Sequence, residues 1–381
     1  MKYIYLDYNA TTPLEDEVLE AMLPYLKNNY GNPSSGHWYG REAKKAVEES
    51  REKVAALIGA SPEEIVFTGG GSESNNLALK GVLYANWPKG KHLVTSVIEH
   101  PAIMKPAGHL QEIGYEVSYV PCDEYGVVHP GRVARAITNS TVLVSIMYAN
   151  NEVGTIQPIK EIGKSVRVRG VYFHSDASQA VGKIPVRVDE ANVDLLTLCA
   201  HKFCGPKGVG ALFIRKGTVI ESFIHGSGHE SGRRAGTENV AGVVGMATAG
   251  EIAQRTMKDE SERITRLRDY FYYRLKSEIR GLVLNGHPEM RLPNTLHVSF
   301  EEISGTDLLN RIPEICATTG AACADRAEQL SGVMKAMGVK EDIGLGSVRF
   351  SLGRRTTREE LDRAVQLIKE ALEESKQQVG R

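Results

Sequence analysis

Three short segments of this 381-residue chain place reactive side chains beside glycines or at the ends of apolar runs. The first, Thr68-Gly69-Gly70-Gly71-Ser72-Glu73-Ser74-Asn75, follows an apolar run and opens a helical pattern. Its backbone N–H groups and the helix dipole offer a seat for a phosphate. It lacks the GK[ST] ending of a P-loop and the spacing of a dinucleotide fold, and in isolation a glycine turn with Ser72 as N-cap is the simpler account. The second, His174-Ser175-Asp176-Ala177-Ser178-Gln179, puts a carboxylate and an amide at the end of another run. Asp176 can pair there with a cationic ring nitrogen, or serve a turn or cap. The third, Ala200-His201-Lys202-Phe203-Cys204-Gly205, carries a lysine just past an apolar strand. Partial burial lowers an amine pKa and suits Lys202 to Schiff-base chemistry with an aldehyde, whereas a lone loop lysine is ordinarily a solvated charge.

The elements that must hold these side chains are legible as runs rich in β-branched residues at 65–67, 93–95, 117–120, 142–146, 171–173, 195–198 and 209–214. Most are continuous rather than alternating, the signature of strands buried on both faces. Helical patterns at 75–82 and 159–169 lie between them. The order predicts an α/β fold, a mainly parallel seven-stranded sheet with helices on both faces, with its ligand site at the carboxyl ends of the strands. From about residue 245 the texture changes to a long charged helix at 251–279, suited to connecting two units. A smaller α+β domain follows, with strands at 295–300 and 347–352, a helix at 306–312 and a final amphipathic helix opening at Thr357-Arg358-Glu359-Glu360. The predicted division is a large domain over 16–256 and a small domain combining 1–15 with 257–381. A phosphate cradle, a ring-nitrogen carboxylate and an amine on successive strand ends are the three grips that pyridoxal phosphate requires.

Composition narrows the partners. A net charge of −1 argues against nucleic acid or an anionic membrane, both of which demand excess basic charge. With 38 Gly, 15 Pro and 41% apolar residues, the chain is a folded globular protein rather than a low-complexity one. Five cysteines without a CxxC pair or zinc-finger spacing predict neither a disulfide scaffold nor a metal site, and fit a reducing, cytoplasmic compartment. The N-terminus meets Asp7 too early for a signal peptide, and no apolar run approaches the ~18 residues of a membrane span.

The sequence resembles the cysteine desulfurases of the class V aminotransferase group, within the fold-type I pyridoxal-phosphate enzymes. The matching stretches are 5–13, Gly31-Asn32-Pro33-Ser34-Ser35, the 68–75 loop, Glu99-His100-Pro101, 149–154, the Asp176 and Lys202 motifs, 233–239 and 351–357. The resemblance implies that Lys202 bonds covalently to the cofactor, Asp176 pairs with its ring nitrogen and His100 stacks on the ring with a role in proton transfer. It implies that Gln179 bonds the phenolic oxygen and that Asn151 lies beside ring and substrate. The phosphate is expected on Gly71, Ser72, His201 and, across a homodimer, Thr237 of the partner subunit. Cys199 is expected among the cofactor contacts, although its strand-end setting also reads as a small core residue. Asn32, Asn151 and Arg354 are the expected substrate contacts, with Arg354 forming a bidentate pair to the carboxylate.

In desulfurases a cysteine at the position of Cys323 attacks the substrate sulfur, taking it as a persulfide and leaving alanine. Sulfur suits this task because a thiol is partly ionised near neutral pH. The implied activity is conversion of L-cysteine to L-alanine, with sulfur passed to iron–sulfur cluster assembly or tRNA thiolation acceptors. Alanines 321, 322 and 324 replace the serines that commonly flank this cysteine, and a Gly-Ala-Ala-Cys loop also resembles selenocysteine lyases. That leaves release of selenium as an alternative, and a non-catalytic scaffold that kept the fold as a second.

Overall fold

The computed structural model describes residues 3–301, 303–319 and 329–379. Its strands are β1 (Ile4–Tyr5), β2 (Ile65–Thr68), β3 (His92–Ser96), β4 (Glu116–Val120), β5 (Thr141–Ser145), β6 (Tyr172–Asp176), β7 (Leu195–Cys199), β8 (Gly210–Ile214), β9 (Leu282–Leu284), β10 (Thr295–Phe300), β11 (Ile315–Cys316) and β12 (Ser347–Ser351). Among the described residues, seven of them form one sheet in the order β2-β8-β7-β6-β5-β3-β4. Only β8 runs against the others, pairing antiparallel with both β2 and β7. The mainly parallel seven-stranded sheet is the predicted one, and each of its strands overlaps a predicted run. Strands β2, β3, β5, β7 and β8 are buried along their whole length, as their continuous apolar sequence requires.

Two separate apolar clusters cover the faces of this sheet. One contains Val94, Val144, Phe173 and Phe213; the other contains Leu93, Leu143, Leu195 and Leu212. Successive residues of each strand therefore divide between the two faces, as the pleat dictates. A third cluster gathers Leu6, Phe271, Leu296, Phe350 and Leu361 around the antiparallel sheet β9-β10-β12. Phe271 and Phe350 meet edge-on with centroids 5.2 Å apart, a geometry worth about 0.5–1.5 kcal/mol beyond area burial.

The helix Val240–Glu278 runs through both regions: Val243, Met246 and Ile252 belong to the first cluster, whereas Ile264, Phe271 and Leu275 belong to the third. It begins eleven residues before the predicted start, because its first turns are Ala- and Gly-rich and carry little periodic signal. Asn239 caps it, its side chain accepting from Gly242 N. The last helix, Arg358–Val379, opens as predicted on a reciprocal cap, with Glu360 N donating to Thr357 Oγ1 and Thr357 N to Glu360 Oε2.

Candidate active site

A cavity of about 370 Å³ opens at the carboxyl ends of β2, β3, β5, β6 and β7. Lys202 enters it from the short turn Ala200–Lys202 that ends β7. Its Nζ donates to the carbonyls of Asn9 at 2.6 Å and Ala10 at 2.7 Å. Burial lowers its amine pKa, with the Arg349 charge acting in the same direction, so the neutral, nucleophilic form is more accessible than for a surface lysine.

Asp176 is the last residue of β6 and is itself buried. Its Oδ2 accepts from Asn75 Nδ2 at 2.7 Å and its Oδ1 from Ser178 N at 3.0 Å. These two donors fix the orientation of the carboxyl group where it lines the cavity. His100 caps the helix Pro101–Glu112, its Nδ1 accepting from Ala102 N at 3.1 Å. That bond leaves Nε2 as the protonated nitrogen of a neutral ring. Desolvation lowers the His100 pKa although the side chain borders open cavity. His201 is held below the usual histidine range, at about 4, by burial and by the charges of Lys202, Lys207 and Lys183; its Nδ1 lies 3.1 Å from Thr11 Oγ1.

Gly71 and Ser72, which also line the cavity, open a short helix. Gly70, at φ 142°, makes the preceding turn in a conformation that favours glycine. A Cβ on Gly71 would meet Ser178 Oγ at 3.1 Å and Cys199 Cβ at 3.5 Å, so glycine keeps this part of the cavity open. Gln179 and Asn151 also line the cavity. Cys199 lines it too, with burial pushing its thiol pKa up, which makes it a protonated wall rather than a nucleophile.

Other expected positions fall elsewhere. Arg354 does not line this cavity: its Nη2 bonds Thr256 Oγ1 at 2.5 Å, its Nε lies 3.9 Å from Glu15, and it borders a separate cleft. The strand-end position of Arg354 carries its side chain past β12 towards the Val240–Glu278 helix. The guanidinium that reaches the cavity belongs to Arg349, within β12. Arg349 is bonded to Asp7 at 2.7 Å and to the Asn151 carbonyl at 3.0 Å, while its buried Nε has no partner among the described residues. Asn32 is exposed and its Oδ1 is taken by Ser34 N, outside the cavity. Thr237 is exposed and does not line the cavity of its own chain. Cys323 lies outside the described residues.

Two further side chains were not singled out in the sequence. Asn9, from the N-terminal arm, lines the cavity and bonds at its backbone oxygen to both Lys202 and Gln179. Asn75 holds Asp176 and keeps a buried Oδ1 that has no partner among the described residues. A larger cleft of about 660 Å³ lies against the helix Trp38–Ile58. There the buried charges Arg51 and Glu230 pair at 2.7 Å.

A family model described as aminotransferase class-V matches residues 4–364. A cysteine desulfurase IscS from Dictyoglomus turgidum is 49% identical over 372 residues, covering 97% of this chain and 94% of that protein. The chain belongs to the cysteine desulfurases of the class-V aminotransferase family. Another desulfurase IscS, from Methanosarcina thermophila, is 47% identical over 374 residues, covering 98% of this chain and 92% of its own. Among solved structures, a NifS-like protein superposes with a TM-score of 0.92 at 40% identity, covering 97% of this chain and 99% of that one. A structure of SspA in complex with cysteine has a TM-score of 0.83 at 34% identity, covering 92% and 99%. Membership of this desulfurase family implies a pyridoxal-phosphate cofactor. The donor set fits such a group: an amine of lowered pKa, a fixed carboxylate opposite a neutral imidazole, and glycine N–H groups at a helix start.

Proposed function

We propose that this chain is a pyridoxal-phosphate-dependent cysteine desulfurase that converts L-cysteine to L-alanine and passes the sulfur to an acceptor protein of iron–sulfur cluster assembly or tRNA thiolation. The observation that carries the reading is the convergence of Lys202, Asp176 and His100 on one cavity at the strand ends. Lys202 would hold the cofactor covalently, Asp176 its ring nitrogen, Gln179 its phenolic oxygen, and Gly71, Ser72 and His201 its phosphate. When bound, the cofactor supplies the electron sink that makes the substrate Cα proton removable and weakens the Cβ–S bond.

The protein's own groups do the rest. With its amine free, Lys202 would be a base of lowered pKa at the cavity wall, and His100 Nε2 would carry a proton in the same cavity. Arg349, rather than Arg354, would take the substrate carboxylate: it lines the cavity and Asp7 fixes the plane of its guanidinium. The Cys323 thiolate receives the substrate sulfur as a persulfide, leaving alanine. A retained amine, carboxylate and carboxylate-binding guanidinium in one cavity count against the scaffold reading.

Thr237, exposed and away from its own cavity, suits the predicted homodimer in which it completes the phosphate site of the partner. The two-domain division at 16–256 and 1–15 with 257–381 is supported by the separate apolar cluster around β9-β10-β12, although Val333, Met334 and Met337 pack on the large-domain core. Among the described residues no helix is long and apolar enough to cross a membrane. Purified protein carrying the cofactor should be yellow and form alanine from L-cysteine; protein that binds no cofactor refutes the reading.

A further inference from the structure

A second lysine stands behind the site. Lys183 Nζ donates to Gln179 Oε1 at 2.6 Å and to Asn9 Oδ1 at 3.2 Å. The same two partners are joined to each other, because Gln179 Nε2 donates to the Asn9 carbonyl at 2.9 Å. That carbonyl also accepts from Lys202. Asn9 is anchored on its other sides by Asn294 Nδ2 at 2.9 Å and Thr295 Oγ1 at 2.8 Å. The backbone that delivers Lys183 is fixed as well. Gly182, at φ 79°, packs against Phe203 where a Cβ would not fit, and the Lys183 carbonyl accepts from Ser261 Oγ on the long Val240–Glu278 helix at 2.5 Å.

The two ends of a glutamine amide are nearly equal in size, so only its partners decide which end faces a ligand. The Asn9 carbonyl, which can only accept, rejects the flipped amide, and Lys183 donating to Oε1 holds the other end in place. With Oε1 held by Lys183 and one Nε2 hydrogen held by Asn9, the second Nε2 hydrogen is the polar hydrogen of Gln179 left without a partner among the described residues. Gln179 lines the cavity that the cofactor would fill.

We propose that Lys183 is a positioning residue that locks the Gln179 amide with its N–H edge toward the cavity and thereby sets how strongly the cofactor's phenolic oxygen holds a proton. The inference rests on the cofactor placement given above. Around Lys183 the charged and titratable groups are Lys202 and His201 after β7, Arg349 on β12 and Cys204, with Tyr8, Glu260 and Arg354 lining the adjoining cleft. Burial pushes the Lys183 amine well below its ordinary pKa, and Lys202 and Arg349 act in the same direction. Lys183 can donate to Oε1 as amine or ammonium; as an amine it could also accept, and the Asn9 carbonyl on the Nε2 side then excludes the flip.

The sign follows from the chemistry of the phenolic oxygen. A donated hydrogen bond withdraws electron density from it, so loss of that donor strengthens its grip on the neighbouring proton. The pH midpoint of the bound cofactor's visible absorption then rises. The test titrates this absorption in the cofactor-loaded protein for wild type, Lys183→Met, Gln179→Leu and the double variant. Lys183→Met is expected to raise the midpoint by about one pH unit, the equivalent of one hydrogen bond to a charged group. In the Gln179→Leu background the same substitution is expected to shift it by less than half as much. Lys183→Gln, which restores a donor, should return the midpoint towards wild type. If the Met variant does not fold, Lys183→Ser serves in its place, with the same expected rise.

An unmoved midpoint in Lys183→Met or Lys183→Ser overturns the proposal. So does an equal shift with and without Gln179, which would mark Lys183 as a remote charge. A wild type with no visible band overturns the cofactor placement itself and is told apart from both.

Discussion

Glu99 offers a test of how burial controls charge next to the site. It is enclosed beneath His100, with Oε1 accepting from Ser96 Oγ at 2.5 Å and from Met147 N at 3.0 Å. Its Oε2 has no partner among the described residues. Burial raises its pKa from 4.5 to about 8, with Asp176 adding to the rise and the two hydrogen bonds opposing it. A carboxyl with a raised folded pKa stabilises the fold fully below its unfolded value and loses that contribution as pH rises through the folded one. Between pH 4.5 and about 8 the native protein therefore binds more protons than the unfolded chain, and stability falls with pH. At about 1.4 kcal/mol per pH unit the loss is bounded at about 5 kcal/mol, and relaxation of the enclosure brings a realistic figure to about 2 kcal/mol. Glu99→Gln keeps the shape and the Oε1 acceptor but cannot ionise. Urea unfolding at pH 5.5, 7 and 8.5 should find the variant within about 1 kcal/mol of wild type at the lowest pH. At the highest it should be the more stable protein by about 2 kcal/mol. A difference between the two that stays constant with pH would refute the reasoning.

The remaining predictions concern recognition and anchoring. Arg349→Lys loses the bidentate grip on the substrate carboxylate and should lower kcat/KM for L-cysteine about 30- to 700-fold, for a loss of roughly 2–4 kcal/mol. Arg354→Ala should change it less than tenfold, measured by alanine formation; the reverse order would return the role to Arg354. Glu230→Gln removes the buried charge that faces Arg51, which bonds both Glu230 oxygens at 2.7 and 2.9 Å; Arg51 keeps the half-exposed Glu48 at 3.1 Å, so the cost in denaturant unfolding should be about 1–3 kcal/mol. Adding Arg51→Met should recover part of that loss, and a double variant no better than the single would contradict the pairing.

The sheet was legible because its strands are buried on both faces and so carry unbroken apolar sequence. The Lys202, Asp176 and Gly71 motifs were legible because each sits at the end of such a strand. Arg349 was harder to read, since it lies inside β12 in the pattern Ser347-Val348-Arg349-Phe350-Ser351, where a charge looks like an outward-facing residue. Only the approach of Asp7 and the Asn151 carbonyl turns that side chain towards the cavity. Asn9 was hidden for the same reason: its partners Lys202, Gln179 and Thr295 lie 170 to 286 residues away in sequence. The helices Asp16–Lys27 and Trp38–Ile58 escaped notice although both pack on the long Val240–Glu278 helix. Their charged outer faces and short apolar stripes gave weaker signals than the strands.

The central claim is that sulfur leaves L-cysteine on this cavity and passes to Cys323. It is tested most directly by incubating the cofactor-loaded protein with L-cysteine, without a thiol acceptor, and measuring alanine together with the mass of the Cys323 peptide. The account predicts about one alanine per chain in the first turnover and one added sulfur on Cys323. Cys323→Ser should keep the cofactor's absorption and form neither product. Alanine formed at the wild-type rate by Cys323→Ser, or added sulfur found on Cys199 or Cys204 instead, would contradict it.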